Sequence, residues 1–163
     1  MNADPVDAIL AQWQRERPNL DVSPMGIIGR MGRLTKHVER ALQETFSDFD
    51  LHAGEFDVLA TLRRSGQPYQ LSPTALFNTL MISSGTMTHR IDRLEQVALV
   101  QRIPDPSDRR GTLIQLTTKG FNVIEKAVEA HVATMHRLLS DLEEADRKAL
   151  AQLLRKLLIS FEE

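Results

Sequence analysis

Residues 99–120 read LVQRIPDPSDRRGTLIQLTTKG. Apolar and polar residues alternate on both sides of a turn that holds Pro104 and Pro106, the pattern of two paired strands closed by a stiff connection. Arg109 and Arg110 stand where the turn rejoins the second strand. An arginine there adds nothing to a core and loses much side-chain freedom if it is held, so the pair calls for solvent or for an anionic partner.

Working outward towards the N-terminus, SSGTMTHRIDRLEQVALV offers Ser83 or Ser84 as a helix N-cap, with Met87, Ile91, Leu94 and Ala98 as a buried stripe. Before it, Ser72 is a good N-cap and Pro73 sits at the first helical position, where a missing N–H costs nothing. Two short helices joined by a tight turn and followed by a hairpin make a winged helix-turn-helix. Periodicity predicts further helices over residues 52–64, with Phe56, Leu59 and Leu62 inward, from Pro24 to about Phe49, and over 4–16. RSGQPYQ, residues 64–70, reads as a turn. Beyond the hairpin, Thr117 or Thr118 caps a long helix to about Ser140. In the last helix Leu150, Leu153, Leu154, Leu157, Leu158 and Phe161 form a stripe wider than one core contact needs. The expected fold is mainly α with a small β-hairpin wing: N-terminal helices over 1–50, a winged helix-turn-helix over 51–118, and C-terminal helices over 119–163. The apolar faces left over at both ends predict a homodimer.

The net charge of −2 hides an uneven distribution. Residues 63–119 carry eight Lys/Arg against four acids, so the middle is basic between acidic flanks, as expected if only the middle meets a polyanion. Scattered arginines on a solvated face would give the same balance. The chain has no cysteine, which removes disulfides, zinc–cysteine sites and thiol chemistry. HExxH, GxSxG and glycine-rich phosphate loops are absent too, so an enzyme has nothing to rest on and no cofactor or metal is expected. The first residues carry acids where a signal peptide needs bases, and no stretch is apolar enough to span a membrane; a cytoplasmic protein is the expectation.

On a helical wheel at 100° per residue, the stripe of Met87, Ile91 and Leu94 leaves Thr86, His89 and Arg93 on the other side, flanked by Ser84 and Thr88. Such side chains suit a DNA major groove: Thr86 and His89 for base edges, Arg93 for phosphate. The alternative for His89 is an idle surface histidine. Arg90 falls on the inward side, where a guanidinium needs an acid or an anion; Asp57 is a candidate acid, although periodicity alone would let it lie on a solvated face. The bland reading makes these two a structural pair.

SSGTMTHRIDRLE and, above all, DPSDRRGTLIQLTTKG resemble the MarR family of bacterial transcription regulators, whose wing has an aspartate two residues before an arginine, then an aliphatic strand, Leu-Thr and a glycine. The likeness runs over essentially the whole chain. It implies double-stranded DNA as partner, a homodimer on a pseudo-palindromic operator, Arg110 in the minor groove oriented by Asp108, and a role as repressor. A narrow minor groove concentrates negative potential and rewards such an arginine; Arg109 suits phosphate. Within the family the chain resembles the urate-responsive branch, whose ligand residues match Trp13, Asp57 and Arg90, with Arg102 matching a further basic position. The implied ligand is a small anionic aromatic molecule, urate or a related purine, which would disturb the Asp57–Arg90 contact and lower DNA affinity. Ser65 departs from that branch, which carries an asparagine there; the departure bears on urate itself and leaves the pocket in place. The rival class is a winged-helix protein-interaction module without a ligand switch, which would have no reason for Asp108 and Arg110.

Overall fold

A computed structural model describes residues 3–80 and 84–162. The elements are α1 (Pro5–Glu16), α2 (Ser23–Ser47), α3 (Ala53–Arg64), β1 (Gln70–Leu71), α4 (Pro73–Leu80), α5 (Ser84–Gln96), β2 (Val100–Pro104), β3 (Thr112–Leu116), α6 (Thr118–Leu138) and α7 (Glu144–Glu162). Two compact units divide the chain, Met1–Leu42 and Gln43–Glu163, and α2 runs through the division. No helix among the described residues is long and apolar enough to cross a membrane.

In the first unit Asp4 caps α1, accepting from the Val6 and Asp7 amides at 2.7 and 3.1 Å, and the Asp7 carboxylate accepts the Asp4 amide at 2.8 Å. These two carboxylates also grip Arg30 of α2, at 2.7 and 2.6 Å. Val6, the buried residue of α1, lies against Gly29, where a Cβ would just touch it. Many other apolar residues of these helices stay open: Ile9, Trp13, Ile27, Ile28 and Leu34 are all exposed in the single chain.

The second unit holds the larger core. Phe56, Val58, Leu59 and Leu62 of α3 are buried with Leu76, Met87, Ile91, Leu94, Ile114 and Ile124. Each such side chain contributes about 1.5–3 kcal/mol when fully buried. Ser72 caps α4 as expected, its hydroxyl accepting from the Ala75 amide at 3.1 Å, and Thr117 caps α6 through the Gly120 amide at 2.9 Å. Ser83, one of the two expected caps of α5, lies outside the described residues, as does the side chain of Ser84.

Two expectations need correction. The wing is a three-stranded antiparallel sheet in the order β1-β3-β2, because part of the segment read as a turn pairs with β3 in the register Gln70↔Gln115. Gln115 donates to Gln70 at 3.2 Å and accepts from Gln101 at 2.8 Å, joining all three strands. Ala98 is not buried: α5 has already ended, and Ala98 is exposed with φ +58°. At the far end, α7 buries none of its residues, and Phe161 keeps 80% of its surface exposed.

Candidate nucleic-acid interface

The outward face of α5 is set by its inward one. Met87, Ile91 and Leu94 are almost fully buried, so Thr86, Thr88, His89 and Arg93 are exposed. Arg93 is less free than the sequence suggests. Its Nε donates to Oε1 of Glu55 at 2.8 Å, and Glu55 is the only charged residue buried among the described ones. The other carboxylate oxygen of Glu55 accepts the His52 amide at 2.9 Å, which helps to close the first turn of α3. A buried carboxylate with both oxygens engaged is a satisfied one, so Glu55 ties α5 to α3 without an unpaired charge. Sequence reasoning passed over Glu55; its spacing three residues after His52, ahead of an apolar run, was the available signal.

Arg90 is half-buried and lies over the backbone at Gly54, where an added Cβ would fall 2.2 Å from its Cζ. Among the described residues it makes no ion pair within 4 Å, so the expected Asp57–Arg90 contact is replaced by a longer-range attraction. Asp57 keeps an open side to solvent, yet partial burial of its carboxyl pushes it above the usual carboxylate range; the positive charges of Arg90, His131 and Arg64 pull the other way. His131, on α6, is held below its ordinary value by burial, against the opposing effect of Asp57. Its ring lies 4.8 Å from Phe56 and 5.5 Å from Phe46, and its Nδ1 is buried with no hydrogen-bond partner among the described residues. Ser65 ends α3, its hydroxyl donating to the Leu62 carbonyl at 2.7 Å. Trp13 belongs to α1 of the first unit and is exposed.

Arg102, on β2, faces α5. One of its terminal nitrogens donates to Asp92 at 2.5 Å, the other to Glu95, and its backbone amide reaches Glu95 at 3.1 Å. Two carboxylates one turn apart on α5 therefore hold the wing strand to that helix. Neither was singled out in the sequence.

At the wing tip the acids serve the backbone. Asp105 accepts the amide and hydroxyl of Ser107 at 2.8 and 2.7 Å, bonds that hold its carboxyl below the ordinary range. Asp108 accepts the Arg110 amide at 2.9 Å, and the Gly111 amide donates to the Asp108 carbonyl at 2.8 Å. Gly111 has no room for a side chain, since a Cβ would meet that of Asp105 at 2.9 Å. Asp108 thus fixes the main chain that carries Arg110. The guanidinium groups of Arg109 and Arg110 are exposed, and among the described residues neither meets an acid.

The profile of the MarR family matches residues 51–112. The chain is 47% identical over 149 residues to the HTH-type transcriptional regulator PecS of Dickeya dadantii, covering 91% of this chain and 90% of that one. Its fold resembles the crystal structure of a mutant MarR from Escherichia coli complexed with operator DNA, with a TM-score of 0.71, 28% identity, and 90% and 97% of the two chains covered. It also resembles Bordetella bronchiseptica BpsR, whose DNA binding is regulated by 6-hydroxynicotinic acid, with a TM-score of 0.70, 29% identity, and 79% and 90% covered.

Proposed function

The chain belongs to the MarR family of winged-helix transcription regulators, and from that premise we propose that it is a repressor that binds a pseudo-palindromic operator as a homodimer and leaves it when a small anionic aromatic ligand binds. The observation that carries the DNA contacts is the pair of exposed arginines, meeting no acid among the described residues, on a wing braced to α5 by Arg102. Arg110 enters the minor groove and Arg109 meets phosphate. Thr86 and His89 read base edges in the major groove, with Ser84 and Thr88 beside them. Arg93 keeps its terminal nitrogens for phosphate while its Nε stays on Glu55. The second copy covers the open apolar faces of α7 and of the N-terminal helices.

The ligand residues are Asp57, Arg90 and Arg102, joined by Trp13 on the strength of the sequence resemblance. Arg90 supplies the charge for an anion, and Asp57, which resists ionisation, supplies the pressure to rearrange. The ligand class follows from that charge, from the resemblance to urate-responsive regulators, and from the likeness to BpsR. An anion drawn to Arg90 pulls at α5 beside its ties to α3 and to the wing, so the groove-reading elements shift together. A coupling of about 1–3 kcal/mol between the two sites would lower DNA affinity by roughly five- to 150-fold.

The test is a gel shift on the DNA upstream of the protein's own gene, with purines and aromatic acids added, while the fluorescence of Trp13, the sole tryptophan, is followed in parallel. Urate, xanthine or a hydroxylated aromatic acid should quench Trp13 and release the DNA over the same concentration range. Quenching with unchanged DNA binding would make the site a passive cavity. Release of DNA by no member of the panel would remove the ligand switch and leave the DNA reading standing.

A further inference from the structure

Where α5 ends, the chain closes with a left-handed residue. Ala98 has φ +58°, the Leu99 amide donates back to the Leu94 carbonyl at 2.9 Å, and the Ala98 amide donates to that of Glu95 at 2.9 Å. This is a Schellman ending with alanine where glycine is usual. It leaves the carbonyls of Val97, Ala98 and Leu99 facing away from the helix, and the start of α6 takes all three. Lys119 Nζ donates to the Val97 carbonyl at 2.9 Å, and the Thr117 hydroxyl donates to that of Ala98 at 2.7 Å. The Thr117 amide donates to that of Leu99 at 3.1 Å.

The same Thr117 hydroxyl accepts the Gly120 amide at 2.9 Å, so one oxygen caps α6 and holds the end of α5. Gly120 lets the two backbones meet: a Cβ there would lie 1.9 Å from the Leu99 carbonyl oxygen, a main-chain atom that cannot step aside. Three carbonyls, a shared hydroxyl and a side-chain-free approach are more than the mere satisfaction of a helix end requires.

Resting on the proposed reading of α5 as the helix that enters the major groove, we propose that Thr117, Lys119 and Gly120 are positioning residues for DNA recognition: they clasp the end of α5 to the first turn of α6, so that the long α6 sets the pose of α5. Lys119 then acts on DNA through α5, although it is a cation in the basic part of the chain.

The two roles of Lys119 separate by salt. Lys119→Met, Thr117→Val and Thr117→Ser are titrated, by fluorescence anisotropy over a series of salt concentrations, against a duplex that the wild-type protein selects from a random pool. Thermal melts fix the folded fraction, and hydrogen exchange follows the amides of Ala98 and Leu99. Lys119→Met should bind about three- to ten-fold more weakly, the effect of one lost hydrogen bond on pose. Its salt slope should stay that of the wild type, and the amides of Ala98 and Leu99 should exchange faster. Thr117→Val should lose affinity and Thr117→Ser, which keeps both the acceptor and the donor, should regain it. If the valine variant does not fold, Lys119→Met and the serine variant carry the comparison. Unchanged affinity and exchange in Lys119→Met would overturn the clasp. So would a salt slope reduced by about one, which would make Lys119 a plain phosphate contact.

Discussion

Replacing Arg110 by alanine should cost DNA affinity and nothing else. The Arg110 side chain is exposed and meets no acid among the described residues, so its removal leaves no buried charge behind. The bond that shapes the turn, from the Arg110 amide to Asp108 at 2.9 Å, belongs to the main chain and survives in the variant. Folding stability should therefore stay within about 0.5 kcal/mol of the wild type, as for an ordinary surface substitution. A guanidinium in a narrow groove is worth about 1–3 kcal/mol, so affinity should fall roughly five- to 150-fold. The assay is an anisotropy titration on two duplexes that share the α5 contact positions and differ only where the wing lands, one A·T-rich and one G·C-rich. The loss should be greater on the A·T-rich duplex, whose groove is narrower. Arg109→Ala should instead weaken both alike and lower the salt slope by about one. Wild-type affinity in Arg110→Ala, or an equal loss on both duplexes, would refute the minor-groove assignment. A lowered melting temperature would refute the claim that the side chain is idle in the free protein.

Burial raises Asp57 in the folded chain, so its contribution to stability is full below the ordinary value of 3.8 and is lost as pH rises through the higher folded value. Asp57→Asn should then raise the melting temperature at neutral pH, with the gain fading towards about pH 4; melts at both pH values decide it, and an unchanged neutral melt would contradict the strain. Gly54→Ala should displace Arg90, whose Cζ would lie 2.2 Å from the new methyl group, without costing the fold, because the long side chain can move; calorimetry should show weakened binding of any anionic ligand found. Removing residues 143–163 should leave an aggregating or unfolded chain, since it takes away a helix whose apolar side chains lie open; a monodisperse monomer in light scattering would count against the dimer.

What could be read from the sequence was what repeats locally. The stripes Phe56–Leu59–Leu62 and Met87–Ile91–Leu94 announced α3 and α5 because burial on a helix recurs every three or four residues. Ser72, Pro73 and Thr117 announced helix starts because capping is local chemistry. The wheel failed at Ala98 because it continues past the helix end, and nothing marks a left-handed residue when alanine takes the place of glycine. Strand β1 escaped because two residues cannot show alternation; only pairing with β3, far along the chain, makes them a strand. In the candidate site, residue types were legible and partners were not. The sequence pattern pairs Asp57 with Arg90, but Arg90 lies over Gly54 instead, and the pattern that turns Arg93 outward does not reveal that Glu55 holds its Nε. Those neighbours are set by packing between elements, which no local pattern encodes.

Because Arg102 joins β2 to both Asp92 and Glu95, the wing and α5 have little freedom to adjust to DNA separately. On the proposed reading, in which α5 and the wing enter neighbouring grooves, the distance between the two readers is then a property of the protein, a ruler carried to every site it visits. Operators should then be able to drift in the letters under either reader, whereas an inserted or deleted base pair between the two positions should force the protein to give up one contact to keep the other. A family of sites in a genome would show this as tolerance of substitutions beside strict constancy of spacing. Charge reversal at Asp92 and Glu95 would release the ruler, and with it the constraint on spacing.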